Sequence, residues 1–238
     1  MRLVLNLILI LIMALCLWGG FKKGLINGLI GIIAIIIALV GANALASRYS
    51  GELVPAIEPF IGGYIDSETT SDEVLAKLGY GDSDKSLTDI MEADSSLRID
   101  YAYECCRLVG FYKDISEDLA EDSVTYANDK EVSITNAVIT IICNTIAYVG
   151  CVTVAFIMIL ILVTSFFDVL NIDIRLPNLD VLDEISGMAL GLAKGFLYCV
   201  LLCWLLGFLG IIIGKDTADK DALFRFFLAF RFITRTLI

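Results

Sequence analysis

The sequence predicts an all-α, polytopic membrane protein. Its four transmembrane helices form two glycine-packed hairpins, with an acidic soluble insertion between them and a C-terminal interfacial helix. The first observation is composition, because 58% of the 238 residues are hydrophobic and the mean hydropathy is +0.83, values that water-soluble domains rarely reach. The second is that apolar residues gather in long uncharged runs, which are typical of membrane-spanning helices. The third is a glycine pattern that occurs twice.

The glycine pattern predicts how the helices pack. It consists of Gly-Phe-Lys-Lys-Gly-Leu-Ile-Asn-Gly near the start and Gly-Met-Ala-Leu-Gly-Leu-Ala-Lys-Gly near the end. Residues four apart share one face of a helix, and glycines on that face let another backbone approach closely. The alternative is that glycine is simply frequent in membrane helices. We predict helix-packing roles for Gly20, Gly24, Gly28, Gly187, Gly191 and Gly195, and interfacial roles for the basic residues Lys22, Lys23 and Lys194.

The four apolar runs define the membrane part in chain order. A tight turn is predicted between the first two runs, at Gly19–Lys23, and Ser133 or Thr135 is predicted to cap the third helix. The resulting divisions are residues 1–47 for the first hairpin, 48–134 for the insertion, 135–214 for the second hairpin and 215–238 for the tail. The runs are Leu3–Trp18, Gly24–Ala46, Asn136–Phe167 and Gly195–Gly214.

The insertion carries most of the charge. Residues 47–134 hold 20 of the 28 acidic residues but only 7 of the 17 basic ones, in a chain of net charge −11. This acidity argues against a nucleic-acid partner, since phosphate binding needs a basic surface. A broken exit segment is predicted from Ser50 to Gly63, because it contains two prolines. Short amphipathic helices are predicted around Asp72–Leu78, Leu97–Tyr112 and Ile115–Tyr126.

The absence of histidine restricts the chemistry. Ser-His-Asp and Cys-His catalysis and His-ligated metals are excluded, and the sequence predicts no enzyme, no cofactor and no metal site. Five carboxylates between Asp168 and Glu184 allow a bound cation, although a solvated loop that favours the next helix is the preferred interpretation. No Asp or Glu lies inside the four runs, so no carboxylate relay for protons is predicted.

The tail combines aromatic and basic residues. Residues 222–238 contain five phenylalanines and three arginines. A run of this length and charge is predicted to lie at the bilayer surface, with its arginines at the headgroups and its phenylalanines in the acyl boundary.

The glycine motifs also carry a family resemblance. A first helix followed by Gly-Phe-Lys-Lys-Gly-Leu-Ile-Asn-Gly, and a loop Leu-Pro-Asn-Leu-Asp-Val-Leu-Asp followed by Gly187, Gly191, Lys194 and Gly195, resemble the colicin V production (CvpA-like) membrane proteins. The similarity covers about residues 1–47 and 136–214, and the insertion is much longer than in compact members. The resemblance implies a four-span inner or plasma membrane protein without catalytic residues, linked to colicin V production or export and to envelope homeostasis.

Two functions therefore compete. The first is a non-enzymatic factor with the lipid bilayer and envelope or membrane proteins as partners, alone or as an oligomer. The second is a small transporter or channel, suggested by polar residues within the runs. The short-loop lysines Lys22 and Lys23 favour an insertion outside the cell, whereas Arg2, Arg48 and the tail arginines favour the reverse. The polar set comprises Asn6, Asn27, Asn43, Asn136, Asn144 and Lys194.

Overall fold

The computed structural model describes residues 2–69, 97–169, 180–208 and 221–230. Within these ranges the chain forms only α-helices and turns, as the sequence predicts, and no strand. The helix predicted at Asp72–Leu78 lies outside the described residues, as do parts of the Asp168–Glu184 loop and of the tail. The helices are α1 (Arg2–Thr69), α2 (Leu97–Val109), α3 (Lys113–Lys130), α4 (Ile134–Val169), α5 (Asp180–Gly207) and α6 (Ala222–Leu228).

Among the described residues, three helical stretches are long and apolar enough to cross a membrane. They are Leu3–Ile65, Ile134–Val169 and Leu182–Gly207. The last begins well before Gly195, where the sequence predicts the fourth span to start, so Gly187, Gly191 and Lys194 all lie inside it. These stretches mark the chain as a membrane protein.

The first stretch is interrupted at one residue. Gly24 has φ 74° and ψ −177°, which separates α1 into a first segment, residues 2–23, and a second segment, residues 25–69. Only glycine occupies this backbone region without strain. The turn predicted at Gly19–Lys23 is therefore wrong in position: those five residues are helical, and the break falls on Gly24.

The second segment of α1 continues much further than predicted. The segment from Ser50 to Gly63 is helical, and α1 ends only at Thr69 with Pro55 and Pro59 inside it. Each proline removes one backbone N–H donor, and both lie on the exposed side of the helix. The prediction of a broken exit is wrong: the helix continues through both prolines, and just beyond them Ile65 is fully buried and the Tyr64 hydroxyl donates to the carbonyl of Leu108 at 3.4 Å.

The chain divides into two compact units. The first comprises the described residues within Met1–Arg48, Gly150–Leu206 and Lys220–Ile238, and the second those within Tyr49–Val149 and Gly207–Asp219. Residues 135–149, which the sequence groups with the second hairpin, belong to the second unit. Ser133, one of the two predicted caps, precedes α4, and its hydroxyl oxygen accepts a hydrogen bond from the amide of Asn136 at 3.4 Å.

The second unit has a core built around α2 and α3, so two of the short helices predicted in the insertion are confirmed. Tyr101, Cys105 and Cys106 of α2 are fully buried. Gly110, with φ 102°, ends α2, and its amide donates to the carbonyls of Cys106 and Arg107. Burial raises the pKa of the Cys105 thiol to about 12 and also raises that of Cys106.

The short helix α6 belongs to the first unit. Asp221 caps it by accepting from the amides of Leu223 and Phe224, and Phe224 is fully buried. Phe227 lies with its ring centroid 5.6 Å from that of Phe196 in α5. The expectation that the tail phenylalanines enter the lipid is therefore wrong for Phe224 and Phe227, which pack against the protein instead.

Candidate functional site

The two predicted glycine motifs meet in the first unit. A Cβ atom added to Gly20 would lie 2.8 Å from the Cα of Gly191, and one added to Gly187 would lie 2.8 Å from the Cα of Gly24. No side chain fits between backbones at these distances, which real Cβ atoms essentially never show. The structure thus brings together Gly20, Gly24, Gly187 and Gly191, which we call the glycine seam.

The contacts continue on both sides of the glycine seam. Further along α5, Gly195 lies against Met13 and Cys16, and the Cys199 thiol donates to the carbonyl of Leu9 at 3.6 Å. As α5 advances, its partners on the first segment of α1 therefore move back toward the N-terminus. These two helices run antiparallel.

The second segment of α1 runs parallel to α5. Gly28 lies against Leu190, and Gly31 lies against Lys194, so partners on both helices advance together. Both segments of α1 thus leave Gly24 in the same direction along α5. All six predicted packing glycines have such close neighbours, whereas Gly19, beside the glycine seam, has nothing within 4 Å of an added Cβ.

Asp183 supports the break at Gly24. Its Oδ1 accepts a hydrogen bond from the amide of Leu25 at 2.9 Å, and the residue is only 6% exposed. The first amides of a helix lack partners within that helix, so Asp183 satisfies one at the start of the second segment, as an N-cap residue would. The interpretation of the Asp168–Glu184 carboxylates as a solvated loop is wrong for Asp183.

The three predicted basic residues take different positions. The Lys22 ammonium lies 4.3 Å from the ring centroid of Trp18, a cation–π contact. The carbonyl of Lys23 accepts from the side chain of Asn27. Lys194 lies midway along the span Leu182–Gly207, rather than at its edge. A charged side chain at that depth costs about 2.5–3.5 kcal/mol on insertion scales.

The six polar residues of the transport hypothesis are not gathered into one path. Asn136 and Asn144 are exposed in the second unit. The side chain of Asn27 donates across the break to the carbonyl of Lys23, and Asn43 accepts from Ser47 one turn later. Asn6 has a buried side-chain oxygen without a partner among the described residues.

A pocket of the first unit is almost wholly apolar. Its volume is about 320 Å³, and it lies among both segments of α1, α4 and α5. Thr153, Tyr198 and Trp204 bring polar atoms to an otherwise aliphatic and aromatic wall. The wall includes Ile12, Leu39, Phe156, Ile157, Leu201 and Leu205. Such a lining suits hydrocarbon rather than a hydrated solute.

Two contributions are not predicted from the sequence, namely the contact at Gly31 and the capping role of Asp183. Gly31 extends the first glycine triplet by three residues on the same helical face, so helical spacing alone could indicate it. Asp183 has a weaker signal. The residues immediately before Leu25 include no Ser, Thr, Asp or Asn, so the amides of that helix start need an acceptor from elsewhere.

Comparison with known proteins adds no relative: no family model, no curated protein and no solved structure matches this chain.

Proposed function

We propose that the chain is a multi-pass protein of the inner or plasma membrane, in which the reversal at Gly24 makes a hairpin and four crossings in all. The support is the direction in which the two segments of α1 run. Both segments of α1 leave Gly24 along α5, and each is long enough to span, because residues 2–23 extend roughly 33 Å at about 1.5 Å per residue. The hydrocarbon core is about 30 Å thick.

We further propose that the protein acts without catalysis, supporting production or export of a colicin V-type peptide toxin and envelope homeostasis. One observation carries this proposal: the glycine seam joins the two motifs on which the resemblance to CvpA-like proteins depends. A backbone-to-backbone contact fixes the relative position of two helices. That is suited to a scaffold which presents surfaces to lipid and to envelope or membrane proteins.

The test is complementation of a knockout strain. The chain, Gly191→Leu and Gly19→Leu are expressed at matched membrane levels, and secretion of a colicin V-type peptide and sensitivity to envelope stress are measured. The proposal expects rescue by the chain and by Gly19→Leu, whose site is open, and failure with Gly191→Leu. A knockout that secretes normally and tolerates envelope stress normally contradicts it.

A transporter or channel is the second candidate, favoured by the mid-span position of Lys194. A cation there, beside an apolar pocket, is suited to moving an anion with apolar parts. Purified protein in liposomes separates the candidates. A flux of such an anion that exceeds the flux in protein-free vesicles, and that Lys194→Met abolishes, supports transport. Equal leakage of the anion with and without protein rejects transport.

A further inference from the structure

The geometry points to a lipid-binding notch: we propose that Lys194 and Lys23 hold the phosphate of an anionic phospholipid, with Gly31 as the floor. The proposal concerns a ligand and does not depend on the export role proposed above. It rests on how the Lys194 side chain is placed, on which charges surround it and on what lies below it.

The notch exists because residue 31 is glycine. The Lys194 side chain lies across that position, with Nζ, Cδ and Cε at 3.0, 3.3 and 3.5 Å from where a Cβ would be. An added Cβ at position 31 would require the lysine to shift by a few tenths of an ångström, and a side chain as large as leucine would displace it further. The second segment of α1 thus leaves a gap in which a long cationic side chain can lie between two helices.

The charge in the notch is only partly balanced. Among the described residues, Lys23, Asp168 and the Cys16 thiol are the groups that interact electrostatically with the Lys194 ammonium. Lys194 forms no ion pair within 4 Å among the described residues. Two ammonium groups therefore face one exposed carboxylate. Basic groups between membrane helices are the usual partners of anionic lipid headgroups.

The depth of the notch suits a phospholipid. Gly31 is seven residues beyond the break at Gly24, or roughly 10 Å along the helix, and Lys23 lies at the break itself. A phosphate between the two ammonium groups would therefore lie between the middle of the span, where the Lys194 backbone is, and the membrane surface at the Gly24 end. Lysines commonly extend toward such a surface to reach headgroups.

An acyl chain has a place below the headgroup. The ring centroid of Tyr198 is 5.7 Å from Lys194 Nζ, and the same tyrosine lines the apolar pocket of the first unit. The cation and the pocket are therefore adjacent through one residue. An anionic head followed by a hydrocarbon chain matches both, whereas a free phosphate would use only the notch.

The test uses the full chain in neutral detergent, with phosphatidylglycerol and phosphatidylcholine of the same acyl chains added separately. Native mass spectrometry counts retained lipid, and thermal unfolding reports stabilisation. We expect at least fivefold greater retention of phosphatidylglycerol, falling to parity in Lys194→Met, reduced in Lys23→Gln and kept in Lys194→Arg. Lys113→Met, at an exposed lysine of the second unit, is the matched control and should retain the preference.

Three results overturn the proposal. They are equal retention of the two lipids by the unaltered chain, an undiminished preference in Lys194→Met, and loss of bound lipid when inorganic phosphate is added at the same concentration, which would indicate a site for free phosphate. If Lys194→Met fails to fold, Gly31→Leu, which fills the notch, is tested instead. An unchanged preference of that variant for phosphatidylglycerol also rejects the site.

Discussion

At the scale of single residues, the glycine seam depends on the absence of side chains. Gly20 and Gly191 have no side chains, so the backbones of α1 and α5 approach to distances that any Cβ would prevent. Close packing of this kind replaces the hydrophobic driving force, which is missing between helices in lipid. The consequence is a sharp dependence on position, because a neighbouring glycine that faces open space contributes nothing to the contact.

We therefore predict opposite outcomes for two adjacent glycines. Gly20→Leu should lower the free energy of unfolding by about 1–3 kcal/mol or more, the usual cost of overpacking, and Gly191→Leu should behave likewise. Gly19→Leu, with nothing within 4 Å, should change it little. Membrane accumulation and thermal unfolding in detergent measure both. Equal tolerance at Gly19, Gly20 and Gly191 would contradict the close contact.

The Asp183 cap gives a second prediction. Asp183→Ala removes the acceptor of the Leu25 amide and should cost about 0.5–2 kcal/mol, as loss of an N-cap does. Asp183→Asn keeps an oxygen that can accept the same bond and should cost less than half as much. Thermal unfolding compares the two variants. A cost for Asn as large as that for Ala would show that charge, rather than the hydrogen bond, is what matters.

At the scale of helices, α2 carries two thiols that are shielded from solvent. Cys105 and Cys106 are fully buried. Burial raises the pKa of Cys105 to about 12, although a hydrogen bond with Tyr101 acts in the opposite direction. An unfolded thiol loses its proton near its ordinary pKa of 9.0. Between about pH 9 and pH 12 the unfolded state therefore binds fewer protons than the folded state, and stability falls.

Two measurements check the behaviour of the α2 thiols. Unfolding by denaturant should show stability unaffected by these thiols below pH 9 and declining above it, and a Cys105→Ala/Cys106→Ala variant should lose part of that decline. In the folded protein at pH 7.5 both thiols should resist an impermeant maleimide. Rapid labelling of the native protein would contradict their burial.

The helix α6 contains two neighbouring phenylalanines that differ in burial and can be compared by mutation. Phe227 is 6% exposed and lies against Phe196, whereas its neighbour Phe226 is 53% exposed. Phe227→Ala should cost at least the about 0.5–1.5 kcal/mol assigned to an aromatic pair, and Phe226→Ala should cost less. Thermal unfolding of the two variants, side by side, tests this. The reverse order would mean that α6 does not pack on α5 in solution.

Sequence periodicity predicts these elements well where one interaction dominates. The glycine spacing indicates the seam residues, and helical spacing indicates α3, because both depend on a single face. Periodicity fails where residues distant in the sequence determine where a helix breaks or ends. Gly24 rather than Gly19–Lys23 carries the break because Asp183 supplies the missing acceptor. The helix α1 continues beyond Pro55 and Pro59, and the Tyr64 hydroxyl near its end donates to the carbonyl of Leu108. Asp183 and Leu108 are both distant in the sequence from the residues they contact.

At the scale of the whole molecule, the break at Gly24 determines how many times the chain crosses the membrane. If the two segments of α1 cross in opposite directions, the N-terminus and the second unit share a side, and Lys22 and Glu184 share the other. If α1 crosses once, the N-terminus and the second unit lie on opposite sides. Labelling of Cys105 or Cys106 cannot report this, since both are buried.

Engineered cysteines on exposed positions make the distinction. We expect Glu121→Cys to share the side of a tag placed before Met1, and Lys22→Cys and Glu184→Cys to share the opposite side, because four crossings return the chain to its starting side after every second one. An impermeant maleimide in intact cells, with the unaltered chain as the blank, reads out each position. If the insertion faces outward, as the lysines of the short loop favour, Glu121→Cys labels and the other two do not. The inward orientation reverses all three results together. A tag and Glu121→Cys on opposite sides would instead reject the reversal at Gly24 and, with it, the four-crossing arrangement.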